Sequence, residues 1–135
     1  MRTKTTLTAS DAFIILTACK AEAAKHDWKV SIAVTDEAGY LLHLERLDGA
    51  GLPSAEIATL KARTAAIAKA PTKALEDVVK DRPAVGLMPG RLPVQGGVPI
   101  IHNGECVGGI GVSGVKSHED EIVAIAGREA LLTSV

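Results

Sequence analysis

An α+β domain, an antiparallel sheet packed by helices, is what this sequence of 135 residues predicts. Three observations carry that prediction. Apolar positions recur at helical period in several stretches; two other stretches alternate apolar and polar residues around turn chemistry; and the segments follow the order helix, hairpin, two helices, hairpin, helix, with no internal repeat.

Thr8 and Asp11 have the spacing of a capping box, and Phe13, Ile14, Thr17, Ala18, Ala21 and Ala24 then recur at helical period, so the first helix spans about residues 10–25. Val30, Ile32 and Val34 alternate with Ser31, Ala33 and Thr35, and the turn residues Asp36, Glu37, Ala38 and Gly39 lead into a second strand over residues 40–47. On that strand Tyr40, Leu42, Leu44 and Arg46 share one face while Leu41, His43, Glu45 and Leu47 share the other. After a glycine-rich connector over residues 48–53, Ser54 is placed to cap a helix whose Ile57, Leu60, Thr64, Ala65 and Ala68 form one stripe, with Lys61 beside it. Thr72 is placed to cap a short helix reaching about residue 80. Residues 82–97 contain Pro83, Pro89-Gly90 and Gly96-Gly97 and read as a loop, of a length that often serves function. Residues 98–102 and 105–112 flank Asn103-Gly104, the strongest short hairpin signal. Ser117 and Asp120 have capping-box spacing, and Glu119, Asp120 and Glu121 fill the first turn of a last helix, where the dipole favours acids. Capping, rather than a metal site, is the reading of those three acids.

Residues 1–135 are expected to form one domain. A chain this long buries roughly two-thirds of its unfolded surface, so a core forms without metal or disulfide staples. With 15 Lys+Arg against 16 Asp+Glu, the net charge of -1 offers no field for a phosphate backbone, and no nucleic-acid partner is expected. The aromatic residues are Phe13, Trp28 and Tyr40, too few to line a stacked cofactor slot. Cys19 and Cys106 are isolated thiols that read as small hydrophobes, and no stretch resembles a signal peptide or a membrane span. A reduced, cytoplasmic protein with no membrane partner is expected.

Residues 109–114 match GxGxxG, but a dinucleotide fingerprint must join the first strand to its helix and be followed by a second strand and an acid, whereas here only the last helix follows. Those glycines instead mark a close backbone approach, by a packed helix or by a ligand. Arg46 and Asp48 leave a strand for the glycine-rich connector, where they could hold an anion or close a surface ion pair. Lys61 either snorkels to solvent or stands in a pocket as a cation, with snorkelling the simpler outcome. His26, His43, His102 and His118 lack zinc-ligand spacing, so no metal site is expected, although a haem iron needs only one imidazole. His43, flanked by leucines, is the histidine most suited to partial burial, whereas His102 and His118 look exposed. Ser113, His118 and Asp120 can be written as a triad, but no nucleophile elbow supports it.

Taken in order, residues 34–39, residues 45–50, Ser54 with Ile57-Ala58, Lys61-Ala62 with Thr64-Ala65, Pro71-Thr72, residues 96–100, and residues 107–114 with Asp120 resemble the GlcG/HbpS-like family, which includes the C-terminal domain of the PduO cobalamin adenosyltransferase. The resemblance covers nearly the whole chain. It implies a profilin-like sandwich with a five-stranded antiparallel sheet, assembled into dimers or larger homo-oligomers, and a binder of haem or of a small ligand. The positions that match are Asp36, Arg46, Asp48, Ser54, Lys61, Gly96, Gly97, Ser113 and Gly114. The family often has His where this chain has Tyr40, Phe where it has Leu44 and Ile67, and a small apolar residue where it has His43.

The expectation is therefore a small-ligand-binding protein, for haem or a small anionic metabolite, with Arg46, Asp48, Lys61, Gly96, Gly97, Ser113 and Gly114 around the ligand and His43 or His102 as the haem ligand. The alternative is a small enzyme, an isomerase or lyase of a hydroxy or oxo acid. In it Lys61 or His43 is the base, Arg46 the carboxylate anchor and the glycine amides the oxyanion site.

Overall fold

The Thr8 hydroxyl accepts the Asp11 N–H at 3.2 Å while the Asp11 carboxylate accepts the Thr8 N–H at 2.8 Å, and this reciprocal cap opens helix α1 (Ala9–Lys25). The computed structural model describes residues 1–135. After α1 come strands β1 (Ser31–Asp36) and β2 (Leu41–Arg46), helices α2 (Ser54–Ala68) and α3 (Thr72–Asp81), a short 3-10 helix (Pro83–Leu87), strands β3 (Gly97–His102) and β4 (Glu105–Ser113), and helix α4 (Ser117–Ser134).

Each hairpin has its expected turn chemistry. The Asp36 carboxylate accepts the N–H groups of Ala38 and Tyr40, both at 2.9 Å, and Gly39 takes a φ of 86°. Asn103 and Gly104 take φ of 50° and 78°, the left-handed pair that matches strand twist. The hairpins join through β1 and β4, giving the order β2-β1-β4-β3 with every pair antiparallel.

The expected five-stranded sheet is corrected to four strands. Only four segments carry strand alternation. Residues 82–97, the one stretch long enough for another, hold Pro83, Pro89 and Pro93, which remove ladder donors, and they form the 3-10 helix and an irregular run instead.

Helices cover both faces. Val30, Ile32 and Val34, with Val98, Ile100, Ile110 and Val112, pack against Ile15, Leu16 and Cys19 of α1 and Val123, Ala124 and Leu131 of α4. The opposite face holds Ala33, which packs on Ala58 and Ala62 of α2. There the glycines of β4 have a purely steric use: a Cβ at Gly109 would collide with the Ala62 carbonyl, and one at Gly111 with the Ala58 carbonyl. The GxGxxG run is thus a bed for α2. β2 is an edge strand, and its Leu41, Leu42 and Leu44, with Tyr40 before it, are exposed. No helix is long and apolar enough to cross a membrane.

Candidate functional site

The end of the sheet where β2 and β4 finish and β3 begins gathers most of the residues singled out from the sequence. Register places Arg46 opposite Ser31, and Ser31 opposite Ser113, so the three lie in one row on the α2 face. Register puts Leu44, opposite Ala33, on that face with Arg46, and beyond a bulge at Leu42 it puts Leu41, opposite Thr35, there too, an exposed apolar strip ending in a guanidinium. Arg46 is exposed, forms no ion pair, and reaches only the Leu52 carbonyl, at 3.5 Å from Nη1. Asp48 is likewise exposed and unpaired. The connector turns through Gly49, at φ 88°, and enters α2 behind Pro53 with no side-chain cap; the Ser54 N–H donates to the Gly51 carbonyl at 3.0 Å, which leaves the first-turn N–H groups of Ala55 and Glu56 uncapped.

Ser54 does not cap. It is the first residue of α2, and its hydroxyl bonds the Gly51 carbonyl at 2.5 Å and the buried Ser31 hydroxyl at 2.8 Å, fastening the helix start to β1. Thr72 likewise spends its hydroxyl on the first residue of β3: it accepts the Gly97 N–H at 2.9 Å and lies 3.3 Å from the Gly97 carbonyl. The Gly97 amide is therefore taken, and the sequence expectation of a ligand donor there is not met.

Lys61 does not snorkel. Its side chain is 3% exposed, and its Nζ donates to the Val112 carbonyl and to Asp120 Oδ2, each at 3.0 Å. Asp120, 2% exposed, closes the arrangement by accepting the Val115 N–H at 3.1 Å on Oδ1. Burial pushes the Asp120 carboxyl up, against the Lys61 charge and the hydrogen bonds that pull it down. Gly96, at φ 131°, leaves the space that the ammonium fills, since a Cβ there would stand 2.7 Å from Nζ. Gly114, at φ 150°, has its Cβ position blocked by the Lys29 carbonyl and Val30. Lys61, Gly96, Gly97 and Gly114 therefore build the sheet end, while Arg46 and Asp48 alone offer unpaired charged side chains from the predicted ligand set.

Asp120 is the residue that sequence reasoning misplaced. It sits one turn into α4 and reads as a cap, but the cap is made by Glu119, whose carboxylate accepts the Lys116 N–H at 3.2 Å. The available signal was Lys61 itself: an ammonium beside an apolar helix stripe needs an acid if it is buried.

The enzymatic constellation is not brought together. His43 faces Val34 and the α1 side of the sheet, opposite to Arg46, and the Lys61 ammonium is committed to two acceptors. The written triad also falls apart, because Asp120 turns to Lys61 and His118 is exposed without a bond to Ser113. For haem, an axial imidazole must stand over a slot that holds a porphyrin. His102 is half-buried and lines a cavity of only about 80 Å³, and His43 is half-buried on the edge strand outside the main cavities. Drug-sized sites occupy about 300–1,000 Å³; a cavity of about 490 Å³ near the Asn103-Gly104 turn is lined mainly by polar groups, among them Lys4, Lys69 and Glu105, and by neither histidine, so a single chain does not enclose a haem beneath His43 or His102. What the site presents is an unpaired guanidinium beside an exposed apolar strip.

Comparison with known proteins gives a consistent set of relatives. The family model described as "Haem degrading protein HbpS-like" matches residues 7–129. Protein GlcG of Escherichia coli strain K12 is 41% identical over 114 residues, covering 84% of this chain and 85% of GlcG. The crystal structure of HbpS superposes with a TM-score of 0.93 at 39% identity, covering 97% of this chain and 94% of HbpS. That of a PduOC:heme complex superposes with a TM-score of 0.86 at 27% identity, covering 93% of this chain and 95% of the other. A double mutant of HbpS from Streptomyces reticuli superposes with a TM-score of 0.92 at 38% identity, covering 97% of this chain and 90% of that one.

Proposed function

The chain belongs to the HbpS-like family, and from that premise we propose that it is a small-ligand-binding protein whose ligand carries a carboxylate anchored by Arg46. The observation that carries the reading is the unpaired guanidinium at the end of an exposed apolar strip, beside the uncapped start of α2. A planar guanidinium pairs with a carboxylate through two parallel hydrogen bonds, and Leu41 and Leu44 supply apolar contact for the body of the ligand.

Two sources supply that chemistry: a haem propionate, or a short hydroxy or oxo acid. The haem-complexed relative supports the first. Because one chain encloses no haem, a porphyrin here lies against the β2 strip and a second copy of the chain covers it. His43 of this chain faces away from Arg46 and His102 lies on the opposite edge strand, so the candidate axial ligand is His43 or His102 of the covering copy. The exposed edge strand supports homo-oligomerisation, and the free thiols support a reduced cytoplasmic setting.

The test is the visible spectrum and native mass of the protein with and without stoichiometric haemin, beside calorimetry with a panel of hydroxy and oxo acids. Haem binding is expected as a Soret shift that weakens in Arg46→Gln and is lost on replacing one of His43 or His102. A flat spectrum with acid binding that disappears in Arg46→Gln assigns the site to the small acid. Binding of either ligand class that is indifferent to Arg46→Gln overturns the reading.

A further inference from the structure

The irregular run after α3 folds back over α2 and leaves a second, separate cavity. It has a volume of about 210 Å³ and is lined by Thr64 and Ala68 of α2, Leu75 of α3, Val85 of the 3-10 helix, and Met88, Arg91 and Pro93. The lining is short on α2, where Thr64 and Ala68 leave room, and apolar nearly all round. Its one charged side chain is Arg91, which is half-buried and whose guanidinium makes no ion pair and no hydrogen bond with the protein. The Thr64 hydroxyl, the other polar group, is already satisfied: it donates to the Leu60 carbonyl at 2.6 Å and accepts the Leu92 N–H at 2.8 Å.

The wall is fixed in place. Besides the Leu92 bond, the Gln95 N–H donates to Glu76 of α3 at 3.3 Å, and the Gln95 side-chain amide donates to Glu121 of α4 at 3.2 Å. Arg63, near the Gly90 turn, does not line the cavity: its guanidinium lies over the Tyr40 ring, 5.6 Å from the centroid. The one charge in the lining is therefore a cation without a protein partner, on a chain whose net charge is -1.

We propose that this cavity binds a short-chain monocarboxylate, its apolar tail between Leu75, Val85 and Met88 and its carboxylate on Arg91. The volume lies below the roughly 300–1,000 Å³ of drug-sized sites, which limits the ligand to a few carbons. A single arginine with no acid in the lining favours one full negative charge, and the apolar lining rejects a second charge on the tail.

Calorimetry and ligand-detected NMR with butyrate and hexanoate test this, with butyramide and inorganic phosphate as controls. Butyrate is expected to bind, to show contacts to the Met88 methyl, and to lose affinity by about tenfold or more in Arg91→Gln, the scale of a charge-assisted contact. Butyramide and phosphate are expected to bind more weakly than butyrate. Ala68→Leu fills the cavity and should abolish binding; if that variant fails to fold, Arg91→Gln, on the surface run, decides alone. Absence of butyrate and hexanoate binding at millimolar concentration overturns the proposal, as does binding indifferent to Arg91→Gln or lost instead in Arg46→Gln. That last result leaves the Arg46 site standing while removing this one.

Discussion

Replacing Lys61 by methionine removes the ammonium and leaves Asp120 buried among groups that cannot solvate it. At 3.0 Å, and an effective dielectric near 20, the Coulomb attraction is about 5–6 kcal/mol. Breaking such a pair from one side typically costs about 3–5 kcal/mol. For a domain of this length, at ~2.1 cal/mol/K of unfolding entropy per residue, the melting temperature should fall by roughly 10–18 °C. The pH dependence has a definite sign. Burial already pushes the Asp120 carboxyl up, and without Lys61 it moves further in the same direction. A group with a raised folded-state pKa contributes stability that is present below its unfolded value, about 3.9, and lost as pH rises through the folded one. The deficit of Lys61→Met should therefore be largest at neutral pH and shrink as pH falls toward about 4. Urea denaturation across that range measures it, and Lys61→Met/Asp120→Leu should recover most of the loss because an apolar pair replaces the ionic one. A Lys61→Met cost below about 1 kcal/mol that does not change with pH is what an exposed pair gives, and it would refute the reasoning.

Three further outcomes follow from the same packing. Gly111→Ala drives a methyl into the Ala58 carbonyl, so α2 must lift from β4, and a loss of about 1–3 kcal/mol or more is expected in denaturant melts. Thr35 is fully buried with a hydroxyl that has no partner, so Thr35→Val should be neutral or stabilising by up to about 1 kcal/mol. A clear destabilisation would show that the hydroxyl has a partner. Burial pushes the Cys19 thiol up to about 12, and its Sγ donates to the Val123 carbonyl at 3.3 Å, so in the native state a thiol reagent should modify Cys106, which is half-buried, and reach Cys19 only after unfolding.

What was legible in the sequence was whatever local chemistry decides. The Thr8–Asp11 cap, the Asp36 turn and the Asn103-Gly104 hairpin each act over a few residues and appear where their spacing places them. The roles of Ser54, Thr72 and Asp120 were not legible. Each stands at a helix start, where capping is the local optimum, and each is drawn away by a partner distant in sequence: Ser31, Gly97 and Lys61. The glycine run was legible as a close approach, but its partner, the backbone of α2, is a tertiary fact. At the candidate site Arg46 remained free as an anchor, whereas the fate of Lys61 depended on an acid 59 residues further along. The cavity over α2 depends on how residues 82–97 fold back, and a run of prolines and glycines carries no period from which to read that path.

The central pairing of the sheet has a consequence for how the protein is made. β1 and β4 lie side by side in the middle, yet Ser31 pairs with Ser113, so β1 must wait for about 80 residues of further chain before its inner edge is covered. At about 5–20 residues per second the wait lasts roughly 4–16 s on the ribosome. Throughout it a nascent chain has a finished β1–β2 hairpin with one bare, apolar edge, and long-range closure of this kind is the slow step of folding. A β4 of a neighbouring copy that has not yet docked offers the same ladder as the chain's own, so on crowded polysomes strand exchange between copies competes with correct folding.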